Sequence, residues 1–405
     1  MLKVLSRANT SVVKLADVAE LNPRLREKPA LDTKVSFVPM AAVSSEAGTV
    51  VREEIRPYRD VAKGFTAFEN GDVLVAKITP CFENNKIAQA SLSLPIGFGS
   101  TEFHVVRARR GESDARYLFH FLRQDHVRSE GERKMTGSAG QRRVPEHFLA
   151  DLDIFLPPLP EQRQIAAILD QADALRVKRR EALAKLDEIA QAIFVEMLGD
   201  PVTNSLGWDD SQVLGDVADV ASGITKGRKV GGETLRTVPY LAVSNVQDQR
   251  LDLTVVKTIE ATEREIERYK LMKDDLVITE GGDPDKLGRG VLWNVELAEC
   301  IHQNHIFRIR LSSDDLHPVF LAWLVGSQRG KQYFFRAAKQ TTGIASINMT
   351  QLRAFPLLVP PMPIQKRFIS AIEQVDLQRQ RLREASAEHE GLFASLQHRA
   401  FSGTP

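Results

Sequence analysis

Lys77, Thr79, Asn84, Asn85 and Lys86, in the run KITPCFENNK, bring ammonium, hydroxyl and amide groups together directly after an apolar stretch. These are the side-chain types that hydrogen-bond base edges and phosphate oxygens. A second run, TEGGDPDKLGRG, follows Asp275-Leu-Val-Ile and carries Lys286 and Arg289 among glycines that would let the backbone approach a duplex closely. Further polar positions come in partnered groups: Ser100, Thr101 and Glu102 with Gln303, Asn304 and His305, and Gln141-Arg142-Arg143 with Thr341 and Thr342. Lys226, Arg228 and Lys229 form a basic cluster near Gly223 and Gly227. Taken singly, each residue fits a turn or a solvated surface as well as a DNA contact. The recurrence of similar loops at equivalent places in two halves of the chain is what points to nucleic acid.

Other chemistries lack their residues. An adenine methyltransferase needs Asn or Asp before Pro-Pro, but Leu156 and Val359 stand there, and Asn22-Pro23-Arg24 fails the pattern. GFGSTE from Gly97 and GGDPDKLGRG from Gly281 complete neither a dinucleotide fingerprint nor a P-loop. His302 and His305 have no HExxH context and no suitable carboxylate beside them, which argues against zinc. Asp283, Asp285 and Lys286 read better as a solvated glycine-rich loop than as a nuclease fragment. The expectation is a protein that binds and does not catalyse.

Composition narrows the partners. Lys plus Arg number 54 against 53 Asp plus Glu, a net charge of +1, so DNA would have to be held through local patches and not by an overall field. With 43% apolar and 26% charged residues, the chain has the make-up of a globular protein. Cys81 and Cys300 are the only cysteines, far apart, which excludes a disulfide framework or a cysteine zinc site and fits a reducing cytosol. Charged residues interrupt the N-terminal stretch, and no 18-residue apolar run exists; a cytoplasmic protein is expected.

The elements that must position these loops come from an internal repeat. Pro157-Pro158-Leu159-Pro160-Glu161-Gln162-Arg163 aligns without a gap on Pro360-Pro361-Met362-Pro363-Ile364-Gln365-Lys366, 203 positions later, and Asp173 and Arg176 fall on Asp376 and Arg379. Weaker echoes pair LADVA from Leu15 with LGDVA from Leu214, and GDVLV from Gly71 with DDLVI from Asp274. From Glu161 to Leu198 there is no Gly or Pro, so a helix about 57 Å long is predicted, started by Pro160 and stopped at Gly199. Steps of four and three give Ile168, Ala172, Leu175, Arg179, Ala182, Leu186, Ile189 and Ile193, apolar except at Arg179, and the second helix repeats the pattern more weakly through Ala371, Val375, Gln378, Leu382, Ala385, His389, Leu392 and Leu396. Two matching seams on one chain predict that the helices pair with each other. Alternating runs such as FHVVRAR from Phe103 and IFRIR from Ile306 predict half-buried strands in the parts between.

The fold class expected is therefore α+β: two mixed, strand-rich domains with pseudo-twofold symmetry, joined by two long helices in an antiparallel coiled coil. The boundaries expected are 1–155 and 201–358 for the domains, with 156–200 and 359–405 as helical spacers.

LPPLPEQRQIAAILDQAD before one long helix and VPPMPIQKRFISAIEQVD before the other closely resemble the specificity subunits of type I restriction-modification enzymes. VSFVPMAAVS, KITPCFENNKIA, FGSTEFHVVR and HQNHIFRIR resemble segments of their target-recognition domains, so the likeness spans nearly the whole chain. It implies two target-recognition domains reading a split, asymmetric sequence in double-stranded DNA. It further implies helices that recruit two methyltransferase subunits, with a restriction and translocase subunit completing the complex. S-adenosylmethionine, ATP and magnesium would then be used by those partners, with no cofactor on this chain. Ile364 in place of Glu161, and Gln378 and His389 in the second seam, depart from the symmetric pattern.

Overall fold

The computed structural model describes residues 11–138, 140–228, 234–282, 287–341 and 344–402. It divides into two compact units, Met1–Ala184 with Arg381–Pro405, and Lys185–Gln380. The division cuts both long helices, so each unit owns a piece of each.

In the first unit, β1 (Ser11–Lys14) pairs with β10 (Asp153–Leu156), and two four-stranded sheets fill the space between them in sequence. One sheet is antiparallel, in the order β2 (Ala19–Leu21), β9 (Phe103–Ala108), β6 (Val73–Ala76), β7 (Ile87–Gln89). The other runs β4 (Glu54–Pro57), β3 (Lys34–Val38), β8 (Ile96–Gly99), β5 (Thr66–Glu69), with β3 and β8 parallel. Strand β6 shows why its sequence, VLVA, is apolar throughout. Val73 and Val75 point into a core shared with α2 (Ala115–Leu122), whereas Leu74 points to the opposite face with Phe68 and Phe103. Side chains alternate along a strand, so one covered on both faces must be apolar at every position.

The second unit repeats the plan. Strands β11 (Ala218–Ser222), β20 (Ile306–Leu311), β16 (Leu276–Thr279) and β18 (Gly290–Leu292) form an antiparallel sheet, and β15 (Lys257–Ala261), β12 (Arg236–Leu241) and β19 (Ile301–His302) a mixed one. In β16, Leu276 and Ile278 join one core and Val277 another. The repeated Gly/Asp-Asp echo acquires a role here. Arg107 grips buried Asp72 with two hydrogen bonds at 2.9 and 2.7 Å, and Arg310 grips fully buried Asp275 with two at 2.7 Å, each aspartate also accepting a backbone N–H three residues before it.

The proline–glutamine signature is a joint. Gln162 and Gln365 are fully buried near the starts of α5 (Leu159–Leu198) and α11 (Met362–Ser402). The Gln162 amide donates to the carbonyls of Pro157 and Glu112, and its oxygen accepts the N–H of Asp114 at 2.8 Å. Gln365 does the same to Pro360, Asp315 and His317, each 203 positions on. Asp114 and His317 in turn cap α2 and α8 (Pro318–Gly326). Replacing Gln162 by Leu strands these buried groups and is expected to cost about 2–4 kcal/mol in denaturant unfolding, against less than about 0.5 for Ala at exposed Gln164. Equal loss from both variants would remove the joint's significance.

Within each unit the helical pieces run antiparallel. In the first, Ile165, Ala166 and Leu169 share a core with Ala400 and Phe401, and Phe401 lies against Tyr117 with ring centres 4.9 Å apart. In the second, Phe194 meets Phe368 edge to face at 5.5 Å and stacks on Trp323 at 5.9 Å. Polar locks follow: Arg176 to Glu390 at 2.6 Å in the first unit, Arg379 to Asp187 at 2.8 Å in the second, each arginine also held by the aspartate three residues before it. All four lock positions are related by the 203-residue repeat.

These locks correct the expected seam. Leu175, Ile189 and Leu392 are 48%, 42% and 50% exposed, because the contact line runs about one residue later, through Leu169, Asp173, Arg176, Asp187, Ala190 and Phe194. One residue is about 100° around a helix, enough to turn those three side chains outward. Val375 is buried, and Ile168, Leu186, Ile193, Leu382 and Leu396 are half-buried.

Candidate nucleic-acid interface

The loops singled out in each half meet at one place per unit. In the first unit, Lys77 N donates to the Glu102 carbonyl and Val144 N to the Lys77 carbonyl, while Ile78 bridges Arg143, which also pairs with Thr136. Thus the end of β6, the turn before β9 and the segments at Thr136 and Arg142–Val144 form one node. In the second, Glu280 N donates to the His305 carbonyl and Ile347 N to the Glu280 carbonyl. Strand β17 (Gly281–Gly282) pairs with β22 (Ile344–Ser346), which pairs with β21 (Lys339–Thr341). Every one of these pairings stands 203 positions from its counterpart, so the two nodes share one backbone scaffold.

Their side chains differ. Arg143 donates Nε and Nη2 to the Glu102 carboxylate at 2.9 and 2.8 Å and Nη1 to the Gln141 carbonyl. Those bonds, helped by the positive charges of Arg143 and Lys77, hold the Glu102 carboxyl below its usual range against partial burial. At the equivalent place His305 Nδ1 donates to Glu280 Oε2 at 2.5 Å. Arg143 enters the candidates through the run Gln141-Arg142-Arg143, whereas Ser346 does not, and the 203-residue offset from Lys77 lands on Glu280 at the start of TEGGDPDKLGRG.

The other candidates separate into open and committed groups. Asn84, Thr101, Gln141, Lys226 and His305 are exposed. Ser100 Oγ accepts from Glu102 N, and Thr79 Oγ1 donates to Glu83, which lies 3.8 Å from Arg142. Lys86 Nζ donates to the Met40 carbonyl, Lys226 Nζ sits 5.2 Å from the Tyr240 ring, and Arg289 donates to Gln247. Gln303 and Asn304 are bound through their backbones to Leu241 and Ile224. Thr341 pairs through its backbone with Ile344, and Lys286 and Thr342 lie outside the described residues, as do Lys229, Asp283 and Asp285.

Two expectations need correcting. Asn85 adopts a left-handed turn, φ 55°, and donates to the Arg123 carbonyl, so it shapes the loop and does not point outward as a reader. Arg228 spends its guanidinium on Glu265 and the Glu260 carbonyl, because the capping glutamate of α7 (Glu263–Tyr269) lies beside it. Arg228 and the N–H of Thr262 hold the Glu265 carboxyl down at about 2, against partial burial. A depressed folded-state value stabilises above the unfolded carboxyl's range and is lost as pH falls toward about 2. Below about pH 4.5 the second unit is expected to lose stability that Arg228→Met removes at neutral pH. Parallel pH–stability curves for both proteins would refute this.

His302 is core, not ligand: its Nδ1 faces the Ile306 carbonyl at 3.0 Å, and burial pushes its pKa down to about 4. Burial likewise raises the Cys300 thiol to about 12. Among the described residues no three His, Cys, Asp or Glu side chains converge as a metal site requires, and no helix is long and apolar enough to cross a membrane.

A duplicated α+β unit, each copy ending in a long helix and presenting one polar node, is the architecture of a DNA-specificity protein. Residues 8–187 and 207–387 both match the type I restriction modification DNA specificity domain, and the chain belongs to that family. The family is one of recognition subunits, not of enzymes. The Escherichia coli EcoEI specificity subunit is 25% identical, over 89% of this chain and 76% of its own length. The E. coli EcoAI specificity subunit is 39% identical over 47% of this chain and 32% of its own. Among solved structures, a chain from a type I R-M system, described for complex assembly and conformational transition, superposes with a TM-score of 0.58 at 20% identity, covering 98% of this chain and 99% of that one. The S subunit of a type I system from M. genitalium gives 0.52 at 15%, covering 99% and 98%.

Proposed function

We propose that this chain reads a bipartite, asymmetric sequence in double-stranded DNA, one half per unit, on behalf of catalytic partners. The observation that carries this is the pair of nodes: one scaffold built twice, in two specificity domains, with different hydrogen-bonding groups on each. Base contacts at the nodes select the site, and phosphate contacts around them hold register. Two methyltransferase subunits dock on the helices and supply S-adenosylmethionine chemistry; a restriction and translocase subunit supplies ATP- and magnesium-dependent cleavage. The chain itself turns nothing over. The test is to sequence modified DNA from cells carrying the methyltransferase with and without this chain. A split motif modified only in its presence is expected; modification at the same sites in its absence would overturn the reading.

A further inference from the structure

The two nodes carry opposite hydrogen-bonding groups. In the first, Lys77 offers only donors, and Arg143 has five N–H groups of which Glu102 and the Gln141 carbonyl engage three. The arginine side chain is 41% exposed, with its plane fixed by a two-pronged carboxylate pair. In the second, position by position, Glu280 replaces Lys77, His305 replaces Glu102 and Ser346 replaces Arg143. A carboxylate accepts only, so the proton between Glu280 and His305 belongs to Nδ1, and the free Glu280 oxygen is an acceptor where the first node offers donors. His305 is 55% and Glu280 32% exposed, so the pair is open to solvent.

Resting on the reading of the chain as a DNA-specificity subunit, we infer that Arg143 and Lys77 read guanine O6 and N7 in one half-site, whereas Glu280 and His305 read a base amino group in the other. Guanine presents two acceptors in the major groove that a guanidinium or ammonium matches, and cytosine N4 or adenine N6 presents a donor that a carboxylate matches. Glu102 is then a positioning residue that aims the guanidinium. Because the backbone pairings correspond, the difference between half-sites at this place is carried by three side chains.

The experiment uses the assembled complex of this chain with its methyltransferase partner, acting on a library of random DNA, with the modified products sequenced. Arg143→Ala is expected to relax one G·C position in a single half-site by about 10- to 100-fold and leave the other half unchanged. Glu280→Gln, which is nearly isosteric, is expected to relax one position in the opposite half only. The triple variant Glu280→Lys, His305→Glu, Ser346→Arg moves the first node's chemistry onto the second scaffold and is expected to create a guanine preference there. Relaxation at an A·T pair with Arg143→Ala, or retention of the complete motif by both single variants in normally assembled complex, would overturn the assignment. A wild-type complex that modifies no defined sequence would instead defeat the specificity-subunit reading itself.

Discussion

Replacing residues 11–156 with the corresponding region of a family member of different target is expected to exchange one half of the modified sequence and leave the other intact. Both sheets of the first unit, its node and the helix α2 lie inside that stretch, and it meets the long helices through the Gln162 joint, the bonds of Arg116 and His120 to Asp170, and an apolar contact with Ile165, Ala166, Leu169, Ala400 and Phe401 and half-buried Phe393 and Leu396. The second node, Glu280, His305 and Ser346, is built from segments of its own unit. The effect is all-or-none at the level of the motif, so sequencing of modified sites decides it. A folded, assembled chimera that altered both halves would show that the units do not read independently.

The second large effect concerns length. Arg176 and Asp187 on α5 face Glu390 and Arg379 on α11, so the two locks enclose equal stretches of the two helices. A seven-residue insertion after Ala184 alone lengthens one stretch and not the other, and both locks cannot then close together. Paired insertions, after Ala184 and after Ala387, lengthen both equally and restore them. Seven residues preserve the facing of a helix in a heptad seam and add about 10 Å, or about three base pairs of duplex. The paired variant is therefore expected to modify the same half-sites with a gap longer by about three base pairs, and the single variant to lose most of its modification. The motif recovered from random spacers checks both. An unchanged gap in the paired variant would mean that the helices do not set the interval.

The repeat, the two long helices and the apolar strands were legible in the sequence because each depends on local pattern: a proline followed by an unbroken run, or a strand apolar on both faces. The phase of the helix seam was not. A reading that follows apolar side chains passes over Asp173, Arg176 and Arg379, which are buried or half-buried only because each finds its opposite charge, and so it selects Leu175, Ile189 and Leu392 one position away. The sheet orders, with β3 parallel to β8 and β12 to β19, depend on crossovers that leave no periodic trace. The candidate site was legible as loops and not as a place. Glu102 and His305 are candidates as partnered members of the repeat; that Arg143 and Glu280 complete their nodes follows from backbone bonds between segments distant in sequence.

The joint at Gln162 and Gln365 bears on how such a protein can change over generations. Each glutamine bonds only main-chain atoms of its unit: two carbonyls and one N–H. Peptide groups are the same whatever side chains surround them, so the socket places no demand on the identity of residues 112, 114, 315 or 317, and indeed Asp114 and His317 occupy matching positions. A recombination crossover falling in the short stretch that encodes the proline–glutamine signature would therefore join an unfamiliar recognition module to a resident helix with every joint bond intact. New reading heads could be acquired whole by genetic exchange, without a period of nonfunctional intermediates in which the connection had to be rebuilt.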